Sequence, residues 1–281
     1  MLISLTGMRD DKLLTRISGL LRQAEGTDNE HEAQTFMQAA QRLATAASID
    51  LAVARAHDPN ARAATVPVSR QVRIGTAGKK GLRTYVLLFV AIAHANDLKV
   101  DVAGNSTYVI AYGFAGDIDS VEALYSSLVI QMVAASDGYL KSGAYRGETA
   151  ARVVTQHGRW VSRRVVEHKP LSPITARLNF QTAFADRIGT RLTEARDQAR
   201  AQATGAETGA SGGSTAIALR DKEIEVVDFH RSESQARGSW RSSSASAGYS
   251  EAARRAGDHA GRRARIGNDR EFGAPGGQLG S

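Results

Sequence analysis

The sequence predicts an α+β protein: an N-terminal αα-hairpin followed by a small helix–strand–strand–helix core, with a disordered basic C-terminal tail. Three observations predict it. Leucine and alanine stripes at helical spacing run through residues 12–47. Two alternating segments flank Gly104-Asn105-Ser106, between long apolar helical runs. Past residue 230 the composition falls to Ser, Arg, Gly and Ala, too poor in apolar groups to offset ordering entropy. The units expected are a helical hairpin module at 1–58, a linker at 59–83, a core domain at 84–230 with an internal Gly-rich linker at 204–214, and a tail at 231–281.

Each element has a local reason. Asp10-Asp11 suit the positive end of a helix whose Leu13, Leu14, Ile17, Leu20 and Leu21 share one stripe. Gly26 stops it, and Thr27 with Glu30 forms a capping box for a second helix with Ala33, Phe36, Met37, Ala40 and Leu43 inward. The linker, Ala- and Arg-rich, holds a short strand at Val66–Ile74. Leu82–Asn96 is apolar nearly all round, the mark of a buried helix. Leu98–Val102 and Tyr108–Phe114 then alternate about the turn and pair as a hairpin. The helix opened by Asp117 carries the strongest stripe, from Ile118 through Leu124 and Leu128 to Met132. Val153-Val154 and Val165-Val166 suit either a loop or a hairpin. Ile174–Ala203 reads as a helix with Phe180, Phe184, Ile188 and Leu192 inward. Ala216–Leu219 reads as a short strand, and Ile224–Phe229 is ambiguous.

The first sixty residues resemble the bacterial and phage family called domain of unknown function 2786. The residues that carry the likeness are Leu13-Leu14, Leu20-Leu21, Asn29-Glu30-His31-Glu32-Ala33, Ala39-Ala40, Leu43 and Ile49-Asp50, with His31 where the family more often has Asn. The region from Tyr85 to Leu192 is similar to the companion domain of unknown function 7168. That likeness rests on Phe114-Ala115-Gly116-Asp117, the Glu122–Tyr125 segment, and Phe180 through Ala185 to Arg191-Leu192, with Gly257 to Gly261 answering its small-residue C-terminal motif. The resemblance implies an architecture and no activity.

Composition narrows the chemistry. With no cysteine, disulfides, Cys-based zinc or iron–sulfur sites and redox thiols are excluded. The longest apolar run, Tyr85–Ala93, is far short of the roughly 20 residues a membrane span needs, and the N-terminus does not read as a signal peptide. A cytoplasmic protein with no membrane partner is expected. Net charge is +7, and it is segregated: residues 101–140 hold five acids and no base, whereas 141–200 hold twelve bases and five acids.

No catalytic constellation stands out. A Gly-x-Ser-x-Gly elbow is absent, and Gly75–Lys80 lacks the spacing of a phosphate loop. Seven histidines occur without a His-Glu-x-x-His; His157 and His168 converge only if their stretch folds as a hairpin. Asp117, Asp119 and Glu122 have the ligand chemistry of a Mg²⁺ carboxylate cluster, but capping of the helix start accounts for the same residues without a metal and is the preferred reading. Neither catalytic residue, cofactor nor metal is therefore assigned. What remains is basic: Arg159-Trp160-Val161-Ser162-Arg163-Arg164 interleaves Arg with an aromatic, as phosphate contact plus base stacking requires. Arg254, Arg255, Arg262 and Arg263 extend the set. The expected function is a binding or adaptor protein that meets nucleic acid non-specifically and salt-sensitively. The alternatives are a hydrolase or nuclease whose carboxylates and histidines meet only in the fold, or a scaffold docking another protein on its helical hairpin.

Overall fold

The computed structural model describes residues 12–17, 19–20, 23, 30–79, 81–157, 162–206, 214–238, 240 and 248–264. Residues 12–17 are helical, with Ile17 fully buried and Leu13 and Leu20 packed on the main core. The turn expected at Gly26–Asn29, and the side chains of Phe36 and Met37, lie outside the described residues. Helix α1 (Glu30–His57) turns a face of small and polar residues inward: Ala40, Gln41, Ala44, Thr45, Ile49 and Ala52. Small side chains let its backbone lie close to the helices that cross it.

The stretch expected to be a linker is instead structured. Asp58 caps α2 (Pro59–Ala64) by accepting from the Asn60 amide, with Pro59 in the first turn where no donor is lost. Strand β1 (Val68–Arg73) then joins the sheet, so the short strand expected here is an integral edge. Helix α3 (Leu82–Ala95) is buried, including Val86, Phe89 and Ile92. It ends in a Schellman turn: the Leu98 amide donates to Ala93 and the Asp97 amide to His94. The left-handed position is filled by Asp97 (φ 60°), whose carboxylate pairs with Arg196 and Arg200.

Strands β2 (Lys99–Val102) and β3 (Tyr108–Gly113) pair antiparallel as expected, and the sheet runs β1-β3-β2, all antiparallel. The Asn105 side chain closes the turn by accepting from the Thr107 amide and hydroxyl. Helix α4 (Ala115–Lys141) packs across one sheet face, its Ile118, Val121, Leu124 and Leu128 against Val109 and Ala111. By length and composition α4 could span a membrane, but its apolar stripe is consumed by this core. Leu128→Ala removes a fully buried side chain and should cost about 2–5 kcal/mol, read from the urea midpoint.

The rest of the chain wraps this centre. β4 (Thr149–His157) and β5 (Ser162–Pro170) form a separate two-stranded ribbon. α5 (Pro173–Ala206) runs past α1, α3 and α4 with Phe184, Ile188 and Leu192 buried. The expected strand at Ala216–Leu219 is overturned: it lies in α6 (Ser214–Glu233), whose buried Thr215, Ala218, Leu219, Lys222 and Val226 follow helical spacing. Within the expected Gly-rich linker, α5 extends to Ala206 and α6 begins at Ser214, the residues between lying outside those described. Inside the expected disordered tail, α7 (Glu251–Arg263) forms, capped by Ser250, and packs along α5. Its contact face, Ala253, Gly257 and Gly261, is built of residues too small to register as an apolar stripe.

Candidate functional sites: a basic ribbon, a buried ion-pair seam and a carboxylate cluster

The ribbon's register is Thr149↔Pro170 through Val153↔Val166 to His157↔Ser162. At about 3.4 Å per residue its nine-residue strands extend some 30 Å. An isolated two-stranded hairpin is marginal in water, so its root matters. Ala151 exchanges both backbone bonds with Tyr249 at 2.8 Å, and the Leu171 amide donates to Glu148. Ala150 and Leu171 sink into a small cluster with Ala176 and Ala253. Beyond that root the strands are exposed or half-buried on both faces, and Val153 and Val166, directly opposed, are 59% and 57% exposed.

The strands carry Arg152, Arg163, Arg164 and Lys169 against a lone acid, Glu167, which pairs with Lys169 at 3.3 Å. Arg163 stands opposite Gln156 and Arg164 opposite Thr155; among the described residues neither pairs with an acid. Arg159 and Trp160 lie outside the described residues. His157 and His168 do not converge despite the hairpin. Six register positions separate them, roughly 20 Å.

The C-terminal arginines are placed differently. Arg254 pairs with Asp186 of α5 at 2.9 Å and lies over the Tyr249 ring. Arg262 pairs with Asp258 and Arg255 with Glu251, both at the surface, while Arg263 is exposed. Arg187 of α5 also reaches Asp258 at 2.6 Å, and Arg191 donates to the Gly261 carbonyl. Of the arginines expected to meet a polyanion, Arg254 thus fastens α7 to α5, whereas Arg255 and Arg262 pair along α7 itself. Exposed pairs such as Arg255–Glu251 contribute little to stability and exchange readily for other anions.

A second constellation is buried. Lys222 of α6 donates to Asp117 at 2.6 Å and to Ser48, with its ammonium and the Arg55 guanidinium both over the Phe114 ring. Arg55 pairs with Glu225 and donates to Thr65 Oγ1. Asp119 and Glu122 turn instead to Arg70 of β1. The three acids at the start of α4 are therefore split between two cations. No group of three metal-ligating side chains occurs among the described residues. With its charges partnered and only a cavity of about 20 Å³ beside it among the described residues, the seam binds α1, α4 and α6 together.

The third lies on the sheet face opposite α3 and α4. Asp101 of β2 accepts from the Tyr112 hydroxyl at 2.8 Å and the Ser234 hydroxyl at 2.7 Å, with His230 Nε2 at 3.0 Å. Burial pushes the Asp101 carboxyl up, but hydrogen bonds from His230, Ser234 and Tyr112 outweigh it and hold it below the usual carboxylate range. Burial and the facing carboxylate raise the Tyr112 phenol to about 12. A hydrolytic relay needs the serine on the imidazole; here serine and imidazole both meet the same carboxylate, which anchors the end of α6 to the sheet. Local spacing could not have revealed this cluster, because more than a hundred residues separate Asp101 from His230.

Residues 12–51 match the model of a family described as a protein of unknown function, DUF2786. No curated protein and no solved structure matches the chain.

Proposed function

We propose that this chain is a nucleic-acid-binding or adaptor protein that grips phosphate backbones non-specifically through the β4–β5 ribbon. The observation that carries the reading is a solvent-exposed two-stranded ribbon bearing Arg163 and Arg164 without acidic partners among the described residues. A two-stranded ribbon fits the major groove of a duplex, and its arginines meet phosphates on either side. Arg255 and Arg262, held only in surface pairs, supply a secondary contact. The helical residues 12–17 and α1 belong to the αα-hairpin of the family match, a reading supported by Leu13, Ile17 and Leu20 sharing a core with Ala40 and Ala44. The α+β unit behind it corresponds to the companion domain of unknown function 7168, and a chain without cysteine suits the cytoplasm.

Such binding releases counterions, with log Kd rising about 0.9 per phosphate contact for each tenfold rise in salt. Arg163→Ala with Arg164→Ala should flatten that slope by nearly two contacts and leave the melting temperature unchanged. Fluorescence anisotropy with a labelled duplex at several salt concentrations measures it. Absence of binding even at low salt would remove this reading. The exposed Val153–Val166 pair would then favour a protein scaffold, with the ribbon as docking edge.

A further inference from the structure

The three-stranded sheet is covered on one face. Strand alternation sends Val100, Val102, Val109 and Ala111 toward α3 and α4. The same alternation sends Ser69, Gln71 and Arg73 of β1, Lys99 and Asp101 of β2, and Tyr108, Ile110 and Tyr112 of β3 to the other side. There, Phe229 and His230 cover Tyr112 with edge-on ring contacts, and Ser234 ties the chain to Asp101. Tyr108 and Ile110 remain half-buried. Among the described residues the result is an open cleft of about 450 Å³, floored by Tyr108 and Ile110 and walled by Glu233 and Gln235.

We infer that this sheet face is a stacking platform for the bases of a single-stranded nucleic acid. The inference rests on the ligand class of the proposed function but uses a different surface. The cleft volume lies within the range of small-ligand sites, with room for a base. Tyr108, on the central strand, supplies a ring of the kind on which unpaired bases stack. Glu233 and Gln235 present acceptors to exocyclic amino groups. The Asp101 charge is already committed to three donors and does not stand free against the ligand. Exposed cations sit at opposite corners of the face: Arg73 opposite Tyr108 on one edge strand, Lys99 opposite Tyr112 on the other. On the diagonal from Arg73 to Lys99 the central strand presents Ile110, with Tyr108 beside the Arg73 end, so a phosphate held at Arg73 places its base over Tyr108.

The test is anisotropy of a labelled oligodeoxycytidylate of about fifteen nucleotides, whose bases carry exocyclic amino groups, and of a duplex of the same length, at low salt. Tyr108→Ala should weaken single-strand binding about 5- to 100-fold, the worth of one stacked base, and leave duplex binding unchanged. Tyr108→Phe should bind the single strand as the parent does. Should Tyr108→Ala unfold, Arg73→Ala with Lys99→Ala, at exposed edge positions, should flatten the salt slope for the single strand alone. The ribbon variant Arg163→Ala/Arg164→Ala separates the two surfaces. Tyr108-dependent single-strand binding without duplex binding would sustain the platform while the ribbon reading fell. Overturning the platform requires either no single-strand binding at low salt, or folded Tyr108→Ala and Arg73→Ala/Lys99→Ala proteins that bind it as tightly as the parent.

Discussion

Lys222→Met should destabilise the protein by about 3–5 kcal/mol, the cost of leaving a buried carboxylate without its cation. The Lys222 and Asp117 side chains are 5% and 10% exposed, so water cannot take over the lost contact. Methionine keeps the length and apolar stem of lysine, so the loss reports charge rather than volume. Two further groups lose a partner: Ser48, which accepts from the ammonium, and the Phe114 ring, which keeps only Arg55. Asp117→Asn alone should also destabilise, because it leaves the ammonium buried and unpaired. The double variant Asp117→Asn/Lys222→Met removes both charges and should recover more than half of the summed single losses, since a buried ion pair is worth little more than a neutral replacement. Urea titration of the four proteins closes the cycle. A single-variant loss below about 1 kcal/mol, the ordinary scale of point substitutions, would show that the seam does not fasten α6.

Legibility in the sequence followed the physical signal each element carries. α3, α4 and α5 are packed by large apolar residues at helical spacing, such as Phe89, Leu128 and Phe184, and that period needs no neighbour to be read. The β2–β3 hairpin was equally legible because its turn chemistry, at Asn105, is local. α6 was not: two of its five buried positions are Thr215 and Lys222, and Lys222 is buried only because Asp117, 105 residues earlier, receives it. β1 was visible as a strand but not as part of the sheet, since its register with β3 is a long-range property. Of the candidate sites, Arg163 and Arg164 were legible as a basic run, but only the ribbon shows them unpartnered. Arg254 and Arg262 belong to the same candidate set and are partnered, because Asp186 and Asp258 reach them across or along helices. Asp101, Tyr112, His230 and Ser234 carry no mutual spacing at all, and the fold alone assembles them.

Gly257→Ala should detach α7 from α5, inverting the usual sign of a glycine-to-alanine change within a helix. In an exposed helical position that change stabilises by roughly 0.5–1 kcal/mol, because alanine has less backbone freedom to lose. Gly138, exposed in α4, is such a position: a Cβ there meets nothing within 4 Å, and Gly138→Ala should stabilise accordingly. At Gly257 a Cβ would lie 2.0 Å from the Phe180 carbonyl oxygen and 2.7 Å from its carbon, both backbone atoms of α5 that cannot rotate away. α7 must therefore shift bodily, and the shift is transmitted. Gly261, one turn on, is nearly as close, its Cβ 2.9 Å from that of Arg187. The Arg187–Asp258 and Arg254–Asp186 pairs, and the bond from Arg191 to the Gly261 carbonyl, all depend on the same approach. So does Asn179, whose amide donates to the Gly248 carbonyl while its Oδ1 accepts from the Ser250 amide, holding the segment whose Tyr249 bridges to the ribbon root. Overpacking of this kind costs about 1–3 kcal/mol and falls on the local docking equilibrium of α7 rather than on the main core. Hydrogen exchange should show residues 251–263, together with the Ala151–Tyr249 bridge, losing protection in Gly257→Ala while α4 keeps it. Unchanged protection in α7 would mean that the helix does not need its glycines to dock.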